Sequence, residues 1–270
     1  MTPHGQNGGA QPGHVVAPRH KRPSGPVVES FSVRPPSAFI YGRPATVGFE
    51  VKGRAPSVHL ALVVKPAGSH TVVRRIDLGN RPTGKPQTYS LTGLEGGPLP
   101  QGSFDLRLSA RGLQGATEAS VTGRFSFHWH VFPLVGQFTY GQDPDGRFGA
   151  PRPGHSHQGQ DIPAPTGTPV VAPRGGVVKV VAFQKGGAGN YIVIHGEGES
   201  LDFVFMHLRD SSILVKQGDL VATGEQIVQV SSTGESSGPH LHFEIWVGPW
   251  GQGGQPVDPL PYLRRWDAWS

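Results

Sequence analysis

Two histidines, His240 and His242, lie two residues apart in a segment with the composition of a β-strand. Successive side chains of a strand point to opposite faces, so both imidazoles share one face with Glu244 and Trp246. The apolar residues that alternate with them are expected to face a core. Imidazoles on a common face can bind a metal ion or transfer protons. An amphipathic strand with surface histidines is the alternative that the pair alone leaves open.

A second polar group lies upstream, where three residues separate His157 from Asp161. Gly159 lies between them and Pro163 follows, so the segment is predicted to be a loop leading into a strand rather than a helix. Zinc takes nitrogen and oxygen donors in tetrahedral sites, and a catalytic site keeps one position open. Two histidines and a carboxylate meet this need in a chain without cysteine. His207, at the end of an apolar run, adds a further imidazole.

The elements that position these residues are predicted to be strands. The 40 glycines and 27 prolines mostly punctuate short β-branched and aromatic runs, and helical periodicity is nearly absent. A chain of 270 residues is long enough for two domains of ordinary size. It contains no run of 18 apolar residues, so no membrane span is predicted. The expected fold class is all-β.

The first half of the chain is predicted to be a tail followed by a sandwich. Residues 1–26 are rich in Gly, Pro and His and lack acidic residues, which is typical of a flexible basic tail or linker. Residues 27–128 hold short alternating runs separated by Gly/Pro turns, the pattern of a β-sandwich. The hairpin around residues 96–106 resembles small immunoglobulin-like modules of bacterial surface proteins, so an Ig-like β-sandwich is expected.

A second pair with the same spacing, His128 and His130, ends this block. No acidic residue or further histidine lies close to it in sequence. Trp129, Val131 and Phe132 indicate an interdomain strand that enters a core. A structural role is therefore predicted for this pair, with metal binding as the alternative.

Residues 129–265 again consist of apolar runs separated by Gly-containing turns, which predicts a tightly coiled antiparallel sheet. Their motifs resemble the lysostaphin-type, or LytM-like, family of zinc metallopeptidases, which cut peptide bonds in bacterial cell-wall peptidoglycan. The resemblance covers about half of the chain. It rests on the His157 to Asp161 element, GTPVVAPRGGVV, His207-Leu208, GDLVATGEQIVQV and TGESSGPHLHFE.

The resemblance implies a role for each residue of the polar set. His157, Asp161 and His242 would bind Zn²⁺, and His207 and His240 would act on the water and on the developing charge. The chain is accordingly expected to be a zinc metalloendopeptidase that hydrolyses peptide cross-links or stems of peptidoglycan. Peptidoglycan peptide is the expected partner, and an extracytoplasmic location follows, although residues 1–26 lack the apolar segment of a secretion signal.

Neighbouring residues have two interpretations each. Glu244 is expected either to orient a ligand imidazole through its second nitrogen or to form a salt bridge. His155 is predicted to be a loop residue, with a substrate contact as the alternative, and His195 a turn residue. Four aromatic residues either line a peptide groove or pack at a core or rim: Tyr140, Phe148, Trp246 and Trp250.

Two other functions fit parts of the pattern. A LytM-like module can bind the cell wall or activate a partner hydrolase without cutting peptides itself. The runs VVAPRGGVVKVV and GDLVATGEQIVQV are also similar to lipoyl or biotinyl carriers, but no lysine is displayed on a turn between two symmetric halves.

The net charge of +5 fits either polyanionic surroundings or a mildly basic surface. There is no basic stripe interleaved with aromatics, so no nucleic-acid partner is predicted, and no feature selects an oligomeric state.

Overall fold

The computed structural model describes residues 25–112, 118–141 and 143–270. The predicted tail, residues 1–26, lies outside these ranges except for its last two residues. Strands are the predominant regular structure of the described chain, which confirms the all-β prediction. Within it, no helix is both long and apolar enough to cross a membrane.

The N-terminal part consists of two packed sheets. Its eight strands are β1 (Val27–Arg34), β2 (Ser37–Phe39), β3 (Ala45–Lys52), β4 (Ser57–Pro66), β5 (Arg74–Pro82), β6 (Gln87–Leu91), β7 (Gly102–Arg111) and β8 (Glu118–His128). One sheet has the order β1-β3-β6 and the other β2-β8-β7-β4-β5. The alternating sequence runs correspond to seven of these strands, whereas the short β2, which is parallel to β8, has no such run.

A single core joins the two sheets. It combines Phe49 of β3 with Leu62 of β4 and Phe125 of β8, each almost fully buried. Side chains from two inner faces interdigitate in this way in a β-sandwich. The immunoglobulin-like assignment and the domain limits at 27–128 and 129–265 stay predictions.

The C-terminal part is built around a larger antiparallel sheet. Its strands are β9 (Pro151–Arg152), β10 (His155–Ser156), β11 (Gln160–Pro163), β12 (Pro169–Val171), β13 (Gly176–Gln184), β14 (Gly189–Gly196), β15 (Leu201–Leu208), β16 (Leu220–Val221), β17 (Gln226–Gln229), β18 (His240–Val247) and β19 (Gln255–Val257). Seven strands form one sheet in the order β11-β18-β15-β14-β13-β16, with β19 beside β18. Two small sheets, β9-β10 and β12-β17, flank it.

Strand β18 separates a core from a polar face. Leu241, Phe243 and Ile245 are fully buried in the core of this part. His240 and His242 alternate with them and so project from the opposite face. The alternation expected from the sequence is therefore present, with β11 and β15 as the two neighbours of β18 at its N-terminal end.

One α-helix, α1 (Leu260–Asp267), closes the described chain. The sequence analysis does not predict it, and only two of its eight residues are buried in the structure. Leu263 and Trp266, three positions apart, lie on one face and are buried in the core. The helix thus covers the side of the sheet that lies opposite the polar face.

Candidate metal centre

Three side-chain atoms converge where β11 meets β18. His157 Nε2 lies 2.9 Å from His242 Nδ1, which lies 2.9 Å from Asp161 Oδ1, and the third side of the triangle measures 3.2 Å. Asp161 is paired directly with His242 in the strand register, while His157 comes from the loop before β11. Zinc bonds of about 2.0–2.1 Å place tetrahedral ligands about 3.3 Å apart. A slight expansion of the triangle therefore fits such an ion.

Hydrogen bonds to the far side of each imidazole select which nitrogen faces the triangle. His157 Nδ1 lies 2.8 Å from the carbonyl oxygen of Arg147, which can only accept, so Nδ1 donates and Nε2 keeps its lone pair. His242 is reversed, since its Nε2 donates to Glu244 Oε1 at 2.9 Å and Nδ1 faces the triangle. Anchoring of this kind fixes the tautomer and the ring orientation of metal ligands.

The electrostatics favour a positive charge at the centre of the triangle. Burial opposes a charge on His242, but hydrogen bonds with Asp161 and Glu244 outweigh it and raise the pKa of His242 to about 9. Burial acts to raise the pKa of Asp161 as well, yet its close polar contacts with His157 and His242 hold that pKa far below its usual range. Asp161 and the inward nitrogens of His157 and His242 thus favour a proton at the place where a divalent cation would bind.

Two further imidazoles stand beside the triangle and present a free nitrogen. His207 Nδ1 donates to the carbonyl oxygen of Thr233 at 2.8 Å, and His240 Nδ1 donates to that of Gly238 at 2.8 Å. The two ring centroids are 4.7 Å apart. Burial lowers the pKa of His207 to about 4, so this imidazole is neutral at neutral pH and keeps a lone pair on Nε2.

His207 reaches this face through a bulge. Regular alternation in β15 would send it into the core with Phe205. Its backbone instead has φ +63°, a left-handed conformation unusual for a residue other than glycine. The pairing of β15 with β14 shifts register at this point, which is the signature of a β-bulge. The bulge turns the imidazole towards His240.

Glu244 connects the triangle to a buried indole. One oxygen accepts from His242, and the other accepts from Trp246 Nε1 at 2.6 Å. The carboxylate is 3% exposed, so both of its oxygens depend on these partners. The contact with His242 is compatible with both predicted roles of Glu244, the orienting of an imidazole and a salt bridge, and both stay predictions.

Gly159 is required for the close approach of the loop to β18. A Cβ atom on this residue would lie 2.6 Å from the carbonyl oxygen of Phe243 and 2.8 Å from His242 Nε2. Real Cβ atoms do not approach so closely, and the nearest obstacle is backbone. The glycine in the HQGQD segment is therefore the sequence signal for tight packing against a ligand.

The remaining predicted residues lie elsewhere. His155 is exposed on the β9-β10 hairpin. The prediction that His195 is a turn residue is wrong, because it lies within β14 and its Nδ1 is 2.7 Å from Asp202 Oδ1 on β15. Trp250 packs against Tyr191, with ring centroids 5.7 Å apart.

The other aromatic candidates and the second histidine pair have structural partners. Tyr140 packs on Phe132 and donates to Asp267 at 3.0 Å. His128 and His130 lie far from the triangle along the chain and pack against residues of α1 and those that follow it. No carboxylate or imidazole beyond Glu199 is found near His130 among the described residues.

The groups that orient the site are not predictable from residue types. The carbonyl oxygens of Arg147, Thr233 and Gly238 carry no such signal, because any residue has one. Trp246 stands out in the sequence only as an aromatic of the strand. Its position two residues after Glu244, on the same face, is the available signal for its contact with the carboxylate.

Comparison with known proteins places this centre in a family. Residues 155–259 match peptidase family M23. An uncharacterized metalloprotease from Haemophilus influenzae is 44% identical over 104 residues, which are 38% of this chain and 20% of that protein. ShyA of Vibrio cholerae, a peptidoglycan DD-endopeptidase, is 40% identical over 104 residues, 38% of this chain and 22% of its own. The chain thus spans about a fifth of these relatives.

A solved structure is also similar in sequence. The catalytic domain of the antimicrobial peptidase lysostaphin from Staphylococcus simulans is 32% identical to this chain. The alignment covers 47% of this chain and 92% of that domain, with a TM-score of 0.41.

Proposed function

Because the chain belongs to peptidase family M23, we propose that it is a zinc metalloendopeptidase that hydrolyses peptide cross-links or stems of bacterial peptidoglycan. The observation that carries this proposal is the triangle formed by His157 Nε2, Asp161 Oδ1 and His242 Nδ1. Its edges of 2.9–3.2 Å and its attraction for a positive charge match what a divalent cation needs.

Zinc is the metal that suits these donors best. Two imidazoles and one carboxylate form a known catalytic zinc set, which leaves a fourth position open. The chain offers no thiolate, since it has no cysteine. The open position faces solvent, because Asp161 and His240 are the most exposed side chains of the centre, at 21% and 14%.

In this proposal, His240 and His207 act on the attacking water and on the charge that develops during hydrolysis. When bound, zinc supplies Lewis acidity that activates water and polarises the scissile carbonyl. His240 Nε2, 3.5 Å from Asp161 Oδ1, is placed to take a proton and to pass it to the leaving amine. His207 presents its own Nε2 from the bulge, and as a neutral imidazole it is placed to accept a hydrogen bond from the attacking water.

Peptidoglycan as the substrate rests on the relatives. ShyA is a peptidoglycan DD-endopeptidase, and the matched region holds the triangle of this chain. Hydrolysis of this polymer requires an extracytoplasmic location, which we therefore propose as well.

We also propose that the sandwich, residues 27–128, positions the peptidase domain, residues 129–265. Residues 1–26, which precede the sandwich in the sequence, are proposed to be a basic tail. Contacts between the two parts support a fixed arrangement. The Thr223 hydroxyl donates to the carbonyl oxygen of Ile40, and the Arg174 guanidinium lies 5.0 Å from the centre of the Tyr41 ring.

Metal analysis combined with peptidoglycan digestion tests the proposal. Purified protein is expected to contain one zinc ion per chain and to release peptide fragments that mass spectrometry identifies. Prior removal of zinc with a chelator should stop release, and adding zinc back should restore it. A folded protein that holds zinc but releases nothing would point to the non-hydrolytic alternative, a module that binds the wall or activates another hydrolase.

A further inference from the structure

A basic side chain without a role in the proposed reaction, Arg152, lies beside Asp161 of the triangle. Arg152 ends β9 and is paired with His155 across a two-residue turn, Pro153-Gly154. Gly154 has φ +77°, the conformation that the third position of a proline-initiated type II turn requires. The hairpin is therefore a defined element, and it holds Arg152 in a set place.

The guanidinium is anchored at one edge only. Its Nη2 donates to the carbonyl oxygen of Asp145 at 2.6 Å and lies 3.8 Å from Asp161 Oδ2. Within residues 25–112, 118–141 and 143–270, no acceptor is found for its Nε and Nη1 groups. The Arg152 side chain is 29% exposed, so its guanidinium is partly accessible to solvent and to a ligand.

The positive charge of Arg152 is not fully compensated by Asp161, because this carboxylate also belongs to the triangle. Asp161 is the carboxylate within ion-pair distance of it in the described chain, and Asp161 Oδ1 already serves the triangle. Once a cation is held there, the negative charge of Asp161 is neutralised. A half-buried guanidinium with free donors then favours a carboxylate, because paired N–H groups match its two oxygens.

We propose that Arg152 binds a substrate carboxylate next to the scissile bond and thereby selects the substrate class. This inference rests on the proposed function. In a cross-link from D-alanine to diaminopimelic acid, and in a terminal D-alanyl-D-alanine, the carbon that bears the leaving nitrogen also carries a carboxylate. In a glycyl-glycine bridge that position continues as a neutral amide. The chain is thus a hydrolase of D-alanyl bonds rather than of glycine bridges.

Matched substrates test the inference. The zinc-loaded full chain is assayed on a soluble stem peptide ending in D-alanyl-D-alanine, as the free acid and as the carboxamide, and on an oligoglycine. A cross-linked muropeptide dimer, with its carboxylate free or amidated, separates cross-link cutting from terminal trimming. We expect kcat/KM to be about 10–100-fold higher for each acid than for its amide, the factor of a charge-assisted hydrogen bond.

Variants locate the effect. R152Q should lower kcat/KM for the acids by that same factor and leave the amides unchanged, while R152K should restore part of the loss. R264Q removes an equal charge from the exposed face of α1 and should change nothing. A second readout is binding to the zinc-retaining variant H240A, where R152Q should weaken the affinity for the acid and not for the amide.

Several outcomes would overturn the inference. Equal rates on acid and amide by the unsubstituted protein would do so, as would preferred cleavage of oligoglycine. If R152Q lowered both rates equally and also lowered zinc content, Arg152 would act through Asp161 and not on substrate. If the zinc-loaded protein cut peptidoglycan but R152Q showed no acid-specific loss, the inference would fail while the proposed function stood. Failure to cut any substrate would remove both.

Discussion

Two histidine pairs of the molecule have the same spacing but different surroundings, one within β18 and the other at the end of β8. His240 and His242 face a carboxylate and a third imidazole across neighbouring strands. His128 and His130 instead face indole rings. His128 stacks on Trp269 with centroids 4.6 Å apart. Identical spacing thus contributes to a cluster that could hold a metal ion in one place and to a packed contact in the other.

The neighbours of the second pair explain its different role. The His130 ring stacks on Trp266 at 4.8 Å and 11°, and its Nε2 lies 3.0 Å from Glu199 Oε2. A stacked imidazole uses its faces for packing, and its polar partner is a single carboxylate. No further donor atom converges on it among the described residues, so the geometry that zinc requires is missing there.

The role of an HxH pair therefore depends on the residues that the neighbouring element places opposite it. At β18 the partner strand β11 delivers Asp161 directly opposite His242. At the end of β8 the chain instead meets an aromatic surface formed by α1 and the residues that follow it. Substitutions that remove or preserve the partners test this conclusion.

The largest effect is expected from removing the partner carboxylate. D161A leaves two imidazoles without the charge that compensates a cation, so zinc should be lost. Hydrolysis should then fall by more than the roughly 10²–10⁴-fold that a proton-transfer group contributes. Metal analysis and peptidoglycan digestion measure both. A D161A protein that retained stoichiometric zinc would contradict the assigned ligand set.

A smaller effect separates the two histidines within one pair. H240A should keep zinc, because His240 Nε2 lies outside the triangle, and should reduce kcat by roughly 10²–10⁴-fold. H242A should lose zinc as well. Metal analysis and the rate of peptide release distinguish the two variants. Full activity of H240A would show that another group transfers the proton.

The matched control lies in the other pair. H130A removes a stacked ring and its contact with Glu199, so it should lower thermal stability while zinc content stays unchanged. A thermal melt and metal analysis of the same sample measure both. Loss of zinc from folded H130A would mean that the seam between the two parts of the chain supports the metal centre.

Much of this contrast is readable in the sequence. The period of two in GPHLHFEIW places His240 and His242 on the face opposite the core. The apolar neighbours Trp129 and Phe132 indicate packing for His128 and His130. Both expectations depend on local alternation, which a strand preserves, and the resemblance to a peptidase family supplies the partners.

The remaining features depend on long-range register. His207 reaches the site through a bulge and a left-handed φ, which no periodicity encodes. The helix α1 escapes prediction because its short apolar stripe, Leu263 and Trp266, has meaning only against the core that it covers. The backbone carbonyl oxygens that accept hydrogen bonds from the imidazoles cannot be predicted from the sequence either, because every residue has one.

Each histidine pair has one carboxylate partner of its own, Glu244 for His242 and Glu199 for His130. E244Q replaces an acceptor for both His242 and Trp246 with an amide whose NH₂ faces one of these donors. Loss of such an outer partner typically costs about 10–100-fold in metal affinity. Competition with a chelator of known zinc affinity measures the change.

The corresponding change at the other pair is E199Q, which alters the partner of His130. It should leave zinc affinity unchanged and reduce the free energy of unfolding by about 1 kcal/mol, the net value of one hydrogen bond. Denaturant unfolding measures this cost. A drop in zinc affinity equal to that of E244Q would break the distinction between the two pairs.

The smallest effect is a pH dependence at His128. Burial lowers its pKa from the ordinary value of 6.5. The unfolded chain therefore binds the proton more readily, so His128 destabilises the fold increasingly as pH falls below 6.5, towards its native pKa. H128F keeps a ring to stack on Trp269 but cannot titrate. The unfolding free energy of H128F relative to the unsubstituted protein should therefore rise between pH 7.5 and 5.5, and denaturant unfolding at several pH values measures it. Each tenfold loss of proton affinity on folding can contribute at most about 1.4 kcal/mol to this rise. A constant difference across that interval would show that packing, and not charge, governs this pair.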